Sequence, residues 1–109
     1  MTSPAGRDID PQPVLAALAD PTRLAVFERL SSQGPASASK LATELPVSRQ
    51  AISKHLDLLG SVGLVDRSRA GREVVFSARR EPLGEVAGWL ERVGAEWDER
   101  LERLQRSFE

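Results

Sequence analysis

The chain has 109 residues, 40% of them hydrophobic, and a formal net charge of −1, which suits one domain with a small core of the kind often completed by oligomerisation. It holds no cysteine and one histidine, His55, which excludes disulfides, thiolate metal sites, thiol redox sensing and any two-histidine metal site within one chain. No stretch approaches the ~20 apolar residues of a membrane span, and Met1–Asp10 has no apolar signal-peptide core, so a cytoplasmic protein without membrane contact is expected.

Residues 1–10 carry Pro, Gly, Ser and charge without periodicity and are expected to be a disordered tail. Gln12 to Ala19 reads as a short apolar helix with Val14, Leu15 and Leu18. Asp20-Pro21 signals a second start, Asp as N-cap and Pro at the first helical position. That helix runs to about Ser32, with Leu24, Phe27 and Leu30 on one face, and Gln33-Gly34-Pro35 ends it. Ser37 or Ser39 can cap a third helix bearing Leu41 and Leu45, which Pro46 breaks.

Ser48 caps the fourth helix, with Val47 and Ile52 placed as a hydrophobic staple across the cap. The break from Leu45 to Ser48 is the short turn of a helix-turn-helix. Ile52, Leu56 and Leu59 form the apolar underside of the fourth helix. Arg49, Gln50, Ser53 and Lys54 share the opposite face near its start, and Gly60 or Gly63 closes it. Such a face is either merely solvated or suited to a DNA major groove, where Arg, Lys and Gln can reach base edges. His55 lies on the flank of the buried stripe, a place for a packed histidine or for a phosphate contact.

Leu64–Arg69 and Arg72–Ser77 read as two strands joined by an Ala70-Gly71 turn. Arg67, Arg69 and Arg72 gather at the hairpin tip, as solubilising surface or as a phosphate or minor-groove contact. A basic hairpin directly after a helix-turn-helix is the wing of a winged helix. The near-neutral net charge hides this: residues 40–80 carry eight Lys/Arg against four acids, whereas residues 81–109 carry four against eight. The middle can meet phosphate while the C-terminal acids stay away from it.

Pro82 opens a last helix that continues to about Arg106. At ~1.5 Å per residue it spans on the order of 37 Å, too long for one face to be buried in so small a domain. Leu83, Leu90, Trp97 and Leu104 recur every seven residues, and Ala87, Gly94, Leu101 and Phe108 follow four later, a heptad-like seam that needs a partner helix. With Leu15, Leu18 and Val86 these residues, Phe108 excepted, make the expected dimer interface. Trp89 and Trp97 suit interface packing or the wall of a ligand pocket.

At this point the chain resembles the ArsR/SmtB family of bacterial winged-helix repressors. The residues that carry the resemblance are Ala17-Leu18-Ala19-Asp20-Pro21-Thr22-Arg23, Ser53-Lys54-His55-Leu56, Gly63-Leu64-Val65 and Gly71-Arg72, in the family's order over residues 12–80. The resemblance implies a homodimer joined by its first and last helices, a recognition helix at Ser48–Leu59, a wing at Leu64–Ser77, and repression from a two-fold symmetric operator. It departs at the metal sites. Ser37-Ala38-Ser39-Lys40-Leu41-Ala42 stands where metal-sensing members carry Cys-x-Cys, and the last helix has no histidine. Carboxylates alone are poor ligands for divalent transition metals, so metal sensing does not carry over.

The expectation is thus a mainly α fold with a small β-hairpin, a winged helix-turn-helix over residues 11–80 and a dimerising C-terminal helix over residues 81–109. Its partners are palindromic double-stranded DNA and a second copy, with no cofactor and no metal. DNA contact falls to Ser48, Arg49, Gln50, Ser53, Lys54 and His55 of the helix and to Arg67, Arg69 and Arg72 of the wing. A regulator answering a small organic or lipid effector, and a winged-helix protein–protein adaptor, are the alternatives. With no Cys, one His and no phosphate-cradling glycine loop there is little from which to build an enzyme's site.

Overall fold

The computed structural model describes residues 10–107; residues 1–9 of the expected tail, and Phe108 of the seam, lie outside the described residues. The order is α1 (Gln12–Ala19), α2 (Pro21–Gln33), α3 (Ala38–Glu44), α4 (Arg49–Ser61), β1 (Val65–Ala70), β2 (Glu73–Ala78) and α5 (Glu81–Ser107). The starts of α2, α3 and α4 are set by side-chain caps. The Asp20 carboxylate accepts the Arg23 N–H at 2.9 Å, Ser37 Oγ that of Lys40 at 3.0 Å, and Ser48 Oγ that of Ala51 at 3.1 Å. Each satisfies a backbone donor that the first helical turn leaves without a partner. Arg23 also closes the α1–α2 corner, donating to the Ala17 and Ala16 carbonyls at 2.7 and 3.4 Å.

One core joins all the elements. Val14 and Ala17 of α1, Val26, Phe27 and Leu30 of α2, Leu41 of α3, Ile52, Leu56 and Leu59 of α4, Leu64, Val65 and Val86 belong to its buried cluster. Val47, half-buried, packs against that cluster. Leu24, expected on the buried face of α2, is 38% exposed, and Val26 is fully buried instead. The stripe centres on Val26, Phe27 and Leu30, and Leu24 lies roughly a quarter-turn or more from that centre.

The strands lie one residue later than expected. Ala70 pairs with Glu73 and Val65 with Ala78, so the turn is Gly71-Arg72 rather than Ala70-Gly71. Gly71 has φ +66, a conformation that glycine adopts without steric cost at the first position of a two-residue hairpin turn. Leu64 stays outside the ladder because its N–H is committed to the end of α4, donating to the Leu59 carbonyl at 2.9 Å. Of the two glycines expected to close α4, Gly60 lies within the helix and Gly63, at φ +80, follows it. Ala36, in the loop before α3, exchanges two backbone hydrogen bonds with Phe76 at 2.8 and 3.1 Å. This covers the outer edge of β2 and fastens the wing to the helical body.

A second clamp holds α3 to α2. Arg29, whose side chain is only 12% exposed, grips both oxygens of Glu44 and donates to the Gly34 carbonyl at 3.0 Å. Chiefly because of the Arg29 hydrogen bond, the Glu44 carboxyl is held below its ordinary value of 4.5. A depressed folded-state value stabilises the fold above the ordinary value, and that contribution is lost as pH falls through the folded-state one. Glu44→Gln should therefore lower the urea midpoint at neutral pH, and it should lose less further stability below pH 4.5 than the parent does. Leu59→Ala, in the fully buried part of α4, should cost about 2–5 kcal/mol, read as a lower urea midpoint at unchanged slope.

Candidate nucleic-acid interface

The exposed side of α4 follows from what its other side must bury. Ile52, Leu56 and Leu59 are at most 1% exposed, and helical geometry turns Gln50 and Lys54 away from them, while Arg49, three residues before Ile52, and Ser53, three before Leu56, flank the buried stripe. Ser48, Arg49, Gln50 and Lys54 are exposed, and Ser53 and His55 half-buried. Further along, the exposed face continues as Asp57 and Leu58, so its cationic part is confined to the first two turns. His55 lies on the flank of the buried stripe, and the Asp20 carboxyl is held below its ordinary range chiefly by the Arg23 backbone N–H.

The wing brings a second set of cations to the same side. Arg67 and Arg69 alternate onto one face of β1, opposite Phe76 and Val74 of β2. The Arg67 guanidinium lies 5.9 Å from the centre of the Phe76 ring, a cation–π contact that restrains its reach. Arg72 sits in the turn. Arg49, Ser53, Arg67 and Arg72 line one open cleft of about 340 Å³ together with Ser37, Ser39 and Glu73. Arg69 is exposed on the hairpin outside that lining. Ser37 and Ser39 are not in the DNA-facing set expected from the sequence; nothing local in the chain shows that the hairpin folds back beside them.

Ion pairing sorts the basic residues of the middle segment. Lys40 pairs with Glu44 at 3.6 Å, and Arg79 bridges Asp66 at 3.4 Å and Glu81 at 3.2 Å. Arg49, Lys54, Arg67, Arg69, Arg72 and Arg80 have no ion pair among the described residues. The cations left unneutralised are thus the ones on the α4 and hairpin surface, apart from Arg80 beside α5. Among the described residues, no three His, Cys, Asp or Glu side chains converge as metal ligands would. No helix among them is long and apolar enough to cross a membrane.

α5 departs from the domain. Val86 is buried in the chain's own core and Leu83 packs against it, but Leu90, Trp97, Leu101 and Leu104 are 53–55% exposed. Leu18 packs on the core, whereas Leu15 of α1 is 43% exposed.

A family model described as a helix-turn-helix domain matches residues 18–68. The chain is 45% identical over 71 residues to the HTH-type transcriptional regulator Rv2034 of Mycobacterium tuberculosis (strain ATCC 25618 / H37Rv), a match spanning 65% of this chain and 64% of that relative. Among solved structures it resembles an ArsR-like transcriptional regulator from Rhodococcus sp. RHA1, with TM-score 0.81 and 47% identity over 88% of this chain and 90% of the other. A second solved ArsR family transcriptional regulator aligns with TM-score 0.72 and 34% identity over 80% and 94% of the two chains.

Cations on phosphates and side chains on base edges leave different signatures. Lys54→Ala or Arg67→Ala should weaken binding to all duplexes alike and reduce the slope of log K against log salt by about 0.9 for each phosphate no longer neutralised. Gln50→Ala should instead relax preference at one operator position and leave that slope unchanged, as read by binding to single-base operator variants at several salt concentrations.

Proposed function

The chain belongs to the ArsR family of winged-helix transcriptional regulators, and on that premise we propose that it is a homodimeric repressor that reads a palindromic operator without metal sensing. The observation that carries this reading is the shared cleft. Arginines from two separate elements, Arg49 of α4 and Arg67 and Arg72 of the wing, line one surface beside the exposed first turns of a capped helix. A phosphodiester strand running along that surface would be held by the wing and the helix start together. Gln50 and Arg49 would then meet base edges in the major groove, with Lys54 on a flanking phosphate.

The second half of the reading rests on α5. Four large apolar residues at heptad spacing, each about half exposed, are what a helix presents when a second helix covers it. Leu15 of α1, 43% exposed, is the apolar side chain that α1 leaves for the same partner. Two-fold symmetry then places two copies of α4 on successive major grooves, about 10 base pairs apart. An occupied operator overlapping a promoter excludes polymerase, which makes binding repressive. The donor set suits no transition metal at the family's usual positions, because Ser37 and Ser39 replace thiolates and α5 lacks histidine.

Selection of bound duplexes from a random pool at stated salt tests the DNA reading, and an inverted repeat with half-sites one helical turn apart is the expected product. A pool that yields no preferred sequence points to the adaptor alternative. Leu90→Glu combined with Leu101→Glu should produce a folded monomer in sedimentation. Operator affinity should fall about 10²-fold or more, because the second half-site no longer binds at the high effective concentration that linkage provides. A wild-type chain that sediments as a monomer at micromolar concentration would sink the two-half-site model.

A further inference from the structure

We propose that Asp66, Arg79 and Glu81 form a strut that sets the pitch of the wing relative to α5, so that Arg79 is a positioning residue for operator binding; this rests on the DNA-binding reading above. Arg79 lies in the two-residue connector between β2 and α5. Its backbone is held at the base of the hairpin, where its N–H donates to the Leu64 carbonyl at 2.7 Å. Its guanidinium spans outward in two directions. Nη1 reaches Asp66 on β1 at 3.4 Å, and Nε reaches Glu81, the first residue of α5, at 3.2 Å. The Glu81 carboxyl is held below its ordinary range, first by its own backbone N–H and then by Arg79, so it is tied to the helix start as well as to the bridge.

The wing needs such a tie on this side. β2 is half-buried and its outer edge is covered by the Ala36 pairing. β1 is exposed from Asp66 onward, with only Val65 buried. The base of α5 is a firm point of attachment, because Val86 is in the core, Leu83 packs on it, and Pro82 lies where a Cβ on Gly63 would meet its ring at 3.5 Å. Beyond that base α5 carries the seam for the partner subunit. The strut therefore joins the part of the chain that meets phosphate to the part that sets the spacing of two wings in a dimer.

Asp66 is otherwise hard to place. It is an acid next to Arg67 on a strand whose exposed cations suit phosphate, and by charge alone it opposes DNA binding. Arg79 cancels that charge and turns it into an attachment. The two explanations predict opposite signs. If only charge matters, Asp66→Asn and Glu81→Gln tighten binding to every duplex. If the strut matters, both weaken operator binding while binding to random duplex is unchanged or tighter, so the specificity ratio falls.

The test is fluorescence anisotropy of the full chain on the selected operator and on random duplex across a salt series, for wild type, Asp66→Asn, Glu81→Gln, Arg79→Gln and the Asp66→Asn/Arg79→Gln double variant. Exposed ion pairs are individually modest, so a loss of roughly two- to ten-fold on the operator is expected. The double variant should be no worse than Arg79→Gln alone, and the salt slope of Arg79→Gln should match wild type because its charge is not on a phosphate. Thermal melts of the variants separate this from unfolding, which would abolish both binding modes. Tighter operator binding by Asp66→Asn overturns the strut, as does a salt slope lowered by about 0.9 in Arg79→Gln. A wild-type chain that binds no duplex overturns the DNA reading and the strut with it.

Discussion

The burial of Ile52, Leu56 and Leu59 is the constraint on which the rest depends. Each is at most 1% exposed, and together they fix the rotation of α4 about its own axis. A helix of 13 residues with one buried stripe has no freedom over what it shows outside. Gln50 and Lys54 are presented because Ile52, Leu56 and Leu59 are not, and Arg49, on the flank of the stripe, is exposed at the first turn of the helix. Ser48 fixes where that face begins, and the Leu64 N–H on the Leu59 carbonyl leads the chain from the end of α4 into the hairpin.

Charge is distributed by the same logic. Cations needed for the architecture are paired: Arg29 with Glu44 between α2 and α3, Lys40 with the same carboxylate, and Arg79 with Asp66 and Glu81. The cations of the α4 start and the wing keep their charge available to a ligand. A chain of net charge −1 can thereby present a cationic surface, since half of its acids lie from Glu81 onward, and none of those among the described residues lines the cleft.

α5 answers a different constraint. A domain of this size can cover only the first turns of a helix of 27 residues. Leu83 and Val86 are used within the chain, and from Leu90 onward the apolar face has no cover of its own. The same helix is anchored at its base beside the wing. The extent of the small core thus divides α5 into an attachment and a free seam, with the wing's foot at the attachment end.

Most of the element order is legible in the sequence because its signals are local. Asp20-Pro21, Ser48 and Gly71 act through their own backbone conformation and nearest neighbours, and the helical spacing of Ile52, Leu56 and Leu59 needs no knowledge of what covers them. The seven-residue recurrence on α5 likewise marks an apolar seam before any fold is known. The strands fall one residue beyond their sequence signal, because Leu64 looks like a strand residue but its N–H bonds back to Leu59 at the end of α4. Leu24 and Val26 exchange places because both are apolar, and only the position of α3 and α4 decides which faces inward. What tertiary structure alone decided is the company each charge keeps. That Arg67 and Arg72 stand with Arg49 across one cleft, that Ala36 pairs with Phe76, and that Arg79 is held by two carboxylates from different elements all depend on how the hairpin folds back on the helices. Apart from Arg79 and Glu81, which are two residues apart, those contacts join elements separated in the chain, and spacing along the sequence carries no information about them.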